Sequence, residues 1–235
     1  MVLYMLGRRE FLEVSAAFLG SPFILKVPSF LEDERVITHG NRDKPQVALT
    51  FDDGFLPQHV EKIAEVAARY GLKFTFFPVG WRVLDRNPQL WRDIFLQGHE
   101  IENHSHSHRI LRSDRVKPEE MVYDIALHNQ LLDEILGQHY EERFFRPPGG
   151  YLEQAVVDAA ESLGLSVVTW SLDSGGTSRK ATPDSAFARV ARAWNGDIVL
   201  LHCINNDTAR LPAMIETLQD KGLELVTLSK SLEVE

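Results

Sequence analysis

From Val47 onward, apolar runs of strand length alternate with stretches of helical period. β-rich runs lie at 47–51, 73–77, 100–103, 143–146, 166–170, 197–201 and 223–227, and apolar residues three and four apart mark helices at 58–70, 88–97, 118–137, 152–163, 183–194 and 208–221. Gly71, Gly98, Gly137, Gly164 and Gly222 stand near helix C-terminal ends, where a left-handed cap is wanted. Strict alternation of strand and helix implies parallel pairing through right-handed crossovers. The pattern therefore predicts an α/β fold, a single-domain (β/α) barrel that is distorted or incomplete, because about seven parallel strands fall short of the regular number. A doubly wound open sheet is the competing topology, but no GxGxxG follows the first strand.

Upstream of this region the periodicity is lost. Arg8-Arg9-Glu10-Phe11-Leu12, leading into Val14-Ser-Ala-Ala-Phe-Leu-Gly20, resembles a twin-arginine export signal, although Glu13 interrupts the apolar run. A short amphipathic helix packed on the domain is the other reading. The first implies export to the periplasm or cell surface, the second a cytoplasmic protein. Residues 1–30 are accordingly set apart from a barrel domain over 31–235, whose first residues suit a lead-in loop with a short strand at 35–38.

With 235 residues and 44% hydrophobic content the chain can bury one large core. The charge of -9, from 34 acidic and 25 basic residues with no basic stripe, argues against a nucleic-acid partner. Cys203 is the only cysteine, which excludes an internal disulfide and a cysteine zinc cluster, so any metal must be held by His and carboxylates. Nothing after the first thirty residues has the ~20 consecutive apolar positions of a membrane span.

The chemistry gathers at strand ends. Val47-Ala-Leu-Thr-Phe-Asp52-Asp53-Gly54-Phe55 is an apolar strand closing on two carboxylates and a glycine. Neighbouring strand residues face opposite ways, so the two acids take different tasks if the chain turns there, as Gly54 permits. One facing a metal and one facing a reacting group is what metal-assisted hydrolysis requires; a helix-capping Asp-Asp-Gly turn is the plainer reading. Around the third strand, Gly98 to His108 holds four histidines. His104 and His108 are four apart, which puts both rings on one face of a helical turn, as in other metal-binding pairs. His99 and His106 are read as structural.

Arg143-Phe-Phe-Arg146-Pro147-Pro148-Gly149-Gly150-Tyr151 ends a strand in an arginine, and the prolines forbid its continuation. A buried Arg146 needs an anion, and Asp52 is the candidate at the same end of the barrel. The N–H groups of Gly149 and Gly150 can stabilise an oxyanion, though a tight turn also accounts for the glycines. Two further strands end in Asp173 and in His202. Five strands delivering Asp, His, Arg, Asp and His to one face match the active-site face of a barrel.

In this order, Thr50-Phe-Asp-Asp-Gly, His104-Ser-His-Ser-His108, Arg146-Pro-Pro-Gly-Gly, Trp170 to Asp173 and Leu201-His202 resemble the polysaccharide deacetylase family, the NodB-homology carbohydrate esterases. The resemblance implies that Asp53, His104 and His108 hold a divalent metal and that Asp52 is the catalytic base. It further implies that Arg146 orients the base and that His202 is the catalytic acid with Asp173 as its carboxylate partner. Such a site suits Zn2+ first, while Co2+, Ni2+ or Fe2+ take the same ligands. The implied activity is metal-dependent removal of N-acetyl groups from an amino-sugar polymer or oligosaccharide, such as chitin, peptidoglycan or poly-N-acetylglucosamine.

The chain departs from the family pattern in three places. Gly149 stands where an aromatic usually follows Arg-Pro-Pro, with the aromatic delayed to Tyr151, and these two are the candidate oxyanion and substrate contacts. Ser174-Gly-Gly-Thr-Ser178 replaces the usual Asp-Trp, and Arg109 replaces the usual proline. Loss of aromatic platforms bears on a stacked sugar ring and not on the metal chemistry. Two alternatives stay open: hydrolysis of another non-peptide C–N bond in a small linear or cyclic amide, and a non-catalytic carbohydrate-binding protein on the same fold.

Overall fold

A computed structural model describes residues 35–234; the segment 1–30 and its two readings lie outside the described residues. In chain order the elements are β1 (Val36–Ile37), β2 (Gln46–Asp53), α1 (Pro57–Tyr70), β3 (Thr75–Pro78), a π-helical turn (Gly80–Leu84), α2 (Pro88–Leu96) and β4 (Glu100–Ile101). These are followed by α3 (Pro118–Leu136), β5 (Phe144–Phe145), a 3-10 turn (Pro148–Gly150), α4 (Gln154–Glu161), β6 (Ser166–Val168), β7 (Leu172–Asp173) and α5 (Pro183–Val190). The chain closes with β8 (Asp197–His202), α6 (Asn205–Thr208), α7 (Leu211–Asp220), β9 (Glu224–Val226) and α8 (Leu228–Leu232).

The strand β2 is the centre of the molecule, and its near-continuous apolar run reflects burial on both faces. Alternation splits its side chains. Val47, Leu49 and Phe51 pack outward under the helices with Phe74, Phe76 and Trp91, while Ala48 packs inward with Phe77, Phe144, Val168 and Ile198. On this alternation Thr50 and Asp52 continue the inward row toward the C-terminal mouth. Along one edge β2 pairs with β8. The other edge is shared, with β9 against Gln46–Ala48 and β3 against Thr50–Asp53.

All the ladders are parallel and fall into two sheets, β1-β6-β5 and β4-β3-β2-β8-β7 with β9 on β2. The sheets meet at two places. A parallel bridge joins Asn103, just past β4, to Phe145 in β5. The run 166–173 pairs first with β5 and β1, then through β7 with β8. The result is an incomplete (β/α) barrel with no continuous closed sheet among the described residues, as expected, although these residues form nine strands where the pattern predicts about seven, β1 and β7 being the additional two-residue pieces. The helix expected over 208–221 is α7, which begins at Leu211 with Pro212 in its first turn, and the short α6 precedes it as a separate element because Pro212 has no N–H with which to continue that helix. The two-residue β7 and the five-residue α8 carry too short a pattern to be read in advance.

Candidate functional site

Asp52 faces into the barrel because it shares the inward row with Ala48 and Thr50, and there it meets Arg146 at the end of β5. Arg146 is fully buried, so its charge must be answered locally. Its Nη1 donates to Asp52 Oδ1 at 2.7 Å and Thr50 Oγ1 at 2.8 Å, its Nη2 donates to the Thr169 carbonyl at 3.0 Å, and its Cζ lies 4.1 Å from the Phe77 ring centroid. Burial pushes the guanidinium pKa down, and the Asp52 charge pushes it back up.

Alternation alone would send Asp53 to the outer face. Instead the chain turns, with φ of 75° at Asp53 and 87° at Gly54. A side chain at Gly54 would meet the Trp91 ring, its Cβ falling 2.8 Å from Cζ2, so both the backbone and the space require glycine. The turn brings Asp53 Oδ1 to 3.6 Å from His104 Nε2 and 3.2 Å from His108 Nε2.

The two histidines are brought together differently from the helical turn that their spacing suggests. The segment is a loop in which Ser105 (φ 62°) and His108 (φ 57°) are left-handed. Side chains hold it: the Ser105 N–H donates to Asn103 Oδ1 at 2.8 Å, and the His108 N–H donates to Ser105 Oγ at 3.0 Å. Serine and asparagine oxygens compete with helical hydrogen bonds, which is why i, i+4 spacing here does not produce a helix. Asn103 is itself anchored on α3 by bonds from Nδ2 to Ile125 O and Asn129 Oδ1. His99 is buried against Phe74 and Phe76, and His106 packs on Gly80, as structural residues do.

The site fits a divalent cation on the chemistry of its donors. His104 Nδ1 donates to the Arg146 carbonyl at 2.7 Å, and a carbonyl only accepts, so the proton is on Nδ1 and Nε2 offers a lone pair. That lone pair, His108 Nε2 and an Asp53 oxygen lie within 4.8 Å of one another. Three acceptors converging at the mouth of a cleft repel unless a cation or protons sit between them. Without a cation between them, protons on the two rings take that place: burial by itself raises the Asp53 pKa, but hydrogen bonds from His104 and His108, with the charges of His104 and His202, hold the carboxyl far below its ordinary value. Two imidazoles and one carboxylate are a set that binds zinc and leaves positions open.

Asp52, Asp53, His104, His108, Asp173 and His202 all line one cleft of about 330 Å³. Gly149, with φ of 64°, Trp170 and Leu200 form its less polar wall. The indole of Trp170 lies against Gly150, where a Cβ would fall 2.5 Å from the ring, so an aromatic surface is present even though Ser174-Gly-Gly interrupts the expected one. Tyr151 is not among the cleft residues. Its hydroxyl donates to Glu153 at 3.1 Å and its ring lies 5.5 Å from the Arg112 guanidinium carbon, because the backbone leaves the 3-10 turn just before it.

The expected pairing of His202 with Asp173 is not the one found. Asp173 Oδ1 accepts the Gly175 N–H at 2.6 Å, closing a local turn. The carboxylate within 4.0 Å of a His202 ring nitrogen is Asp207, at 3.8 Å from Nδ1. Burial favours the neutral ring, but Asp207, Asp52 and Asp53 together outweigh it and raise the His202 pKa above its ordinary value. Asp207 and Asn103 are the polar residues of the site that sequence reasoning passed over. Asp207 follows a strand end by five residues without a recognisable spacing rule, and Asn103 acts through a backbone turn.

Comparison with known proteins is consistent with this geometry. The polysaccharide deacetylase family model matches residues 39–168. A peptidoglycan-N-acetylglucosamine deacetylase of Bacillus cereus is 33% identical over 198 residues, covering 79% of this chain and 87% of that protein. The crystal structure of the Bc1960 peptidoglycan N-acetylglucosamine deacetylase superposes with a TM-score of 0.79 at 27% identity, covering 92% of this chain and 99% of the other. The structure of wild-type BA3943 from Bacillus anthracis, described as a CE4 family pseudoenzyme, superposes with a TM-score of 0.78 at 26% identity over 85% of this chain and 69% of the other. With more than half of its length matched by the family model, and with the motifs at one barrel mouth, this chain belongs to the polysaccharide deacetylase family.

Proposed function

We propose that the protein is a metal-dependent hydrolase that removes N-acetyl groups from an amino-sugar polymer, with peptidoglycan as the first substrate to test. The observation that carries the reading is the division of labour between adjacent aspartates. Asp53 Oδ1 converges with both histidine Nε2 atoms, at 3.6 Å and 3.2 Å, while Asp52 gives Oδ1 to a buried arginine and approaches His104 alone, its Oδ2 at 3.8 Å. The names of the similar deacetylases support the substrate class.

Asp53, His104 and His108 would hold the cation, and zinc is the first choice for that donor set, with Co2+, Ni2+ and Fe2+ taking the same ligands. When bound, a divalent cation supplies Lewis acidity toward the amide carbonyl and the attacking water. Asp52, held in one orientation by Arg146, accepts a proton from that water. The Gly149 N–H, on the cleft wall, would donate to the developing oxyanion. His202 gives its Nε2 proton to the amine nitrogen as the C–N bond breaks, since an amine anion is too poor a leaving group to depart unaided. The products are acetate and a free amino sugar.

The test is acetate release by the zinc-loaded protein from peptidoglycan, chitooligosaccharides and small linear or cyclic amides, with and without a chelator. Acetate from an N-acetylated glycan, abolished by chelation and restored by zinc, is the expected result. Turnover confined to small amides would reassign the substrate. The resemblance to a structure described as a pseudoenzyme gives the second reading, a non-catalytic carbohydrate-binding protein, and glycan binding without acetate release from the metal-loaded protein would establish it.

A further inference from the structure

We infer that Asp207 is the positioning residue of His202, holding Nδ1 so that Nε2 is directed into the cleft. The inference rests on the proposed role of His202 as proton donor and concerns what sets its orientation. Asp207 is fully buried, and its Oδ2 accepts the His202 backbone N–H at 2.8 Å, which fixes the carboxylate beside the residue it serves. The same Oδ2 stands 3.8 Å from His202 Nδ1. Both Nδ1 and the other oxygen, Oδ1, are buried atoms without a hydrogen-bond partner among the described residues. Buried polar atoms are nearly always satisfied, so an unpartnered ring nitrogen beside a buried carboxylate that keeps one oxygen unpartnered identifies that carboxylate as its partner. At 3.8 Å Asp207 is the carboxylate nearest an Nδ1 proton and its electrostatic partner.

The surroundings are shaped around this carboxylate. Gly176 passes so close that a Cβ there would lie 2.3 Å from Oδ1 and 2.5 Å from Oδ2. Asn206, the neighbour of Asp207 in α6, donates from Nδ2 to the Gly176 carbonyl at 2.8 Å and ties the 174–177 loop to this short helix. The Cys203 N–H donates to the Asp52 carbonyl at 3.2 Å, so the β8–α6 corner that carries both His202 and Asp207 is registered against the strand that carries the proposed base. Asp173 shares the cleft, but its Oδ1 is engaged by the Gly175 N–H. The chemistry assigned to the pair balances simply: the water proton goes to Asp52, the Nε2 proton of His202 goes to the departing nitrogen, and Asp207 neutralises the imidazolium without itself transferring a proton.

The experiment uses zinc-loaded protein with two substrates, an N-acetylated chitooligosaccharide and 4-nitrophenyl acetate, whose leaving group departs without protonation. Asp207→Asn is expected to lower kcat on the amide by about 10²-fold, within the range of a general acid, with KM and zinc content unchanged. The loss on the ester should be at least tenfold smaller, and the loss on the amide should exceed that of Asp173→Asn at least tenfold. Equal losses of Asp207→Asn on amide and ester, or a larger amide loss for Asp173→Asn, would overturn the assignment. Gly176→Ala, which displaces the carboxylate without removing it, is expected to give the same amide-against-ester split; it supplies the deciding result if Asp207→Asn does not fold. His202→Ala separates the two levels: full amide turnover in that variant refutes the proton-donor reading itself. Loss in His202→Ala without loss in Asp207→Asn refutes only the pairing.

Discussion

Asp52 and Asp53 are adjacent and chemically identical, yet one sits inside the barrel on an arginine and the other turns out to two histidines. Their substitutions should therefore separate. Asp52→Asn is expected to keep its metal while turnover falls by about 10² or more, whereas His104→Ala loses the metal as well. Metal content measured alongside acetate release distinguishes the two, and equal metal loss in both variants would mean the aspartate roles are exchanged. Arg146 carries a different burden, since removing it leaves Asp52 buried and unpaired. Arg146→Met is expected to cost about 3–5 kcal/mol in urea unfolding. Adding Asp52→Asn to that variant should recover part of the loss, because the stranded charge is gone.

At the scale of elements, the link between α2 and the sheet runs through His99. Its Nδ1 accepts the Phe74 N–H at 3.1 Å, and its ring lies among Phe74 and Phe76. Burial, together with Lys73, depresses its pKa to about 4 from an ordinary value of 6.5. The unfolded chain then binds a proton that the folded chain refuses between those values. The stability from the neutral ring is fully present above about pH 6.5 and is lost as the pH falls toward about 4, at a slope of up to ~1.4 kcal/mol per pH unit. Urea unfolding of wild type and His99→Gln between pH 7 and pH 4 should show a shallower acid loss in the variant. An unchanged slope would place the acid sensitivity elsewhere.

For the molecule as a whole, the donor cluster joins the end of β2 to the loop after β4, segments some fifty residues apart that no ladder links directly. A cation bound there stabilises the folded state by mass action, about 4 kcal/mol at a thousandfold excess over its Kd. For a chain of this size that corresponds to a Tm increase of roughly 8–16 °C. Thermal melts with zinc and with a chelator should differ by such an amount in wild type and by little in His104→Ala. A zinc-independent wild-type melt would show that the three ligands do not act together.

The alternation of apolar strands and periodic helices determined the α/β barrel class, because burial of β2 on both faces and of one face of each helix is written into residue spacing. The strand-end positions of Asp52, His104, Arg146 and His202 were legible for the same reason: the residues after a buried run must emerge at one rim. The tertiary structure alone decided three things. It set the left-handed turn at Asp53, where backbone geometry overrides strand alternation. It set the His104–His108 loop, where side-chain hydrogen bonds replace a helical turn. It also set which carboxylate lies against His202. Asp173 and Asp207 both follow strands to the same rim, and only the packing of Gly176 on α6 and the Gly175 N–H on Asp173 determine which of them is left facing the ring.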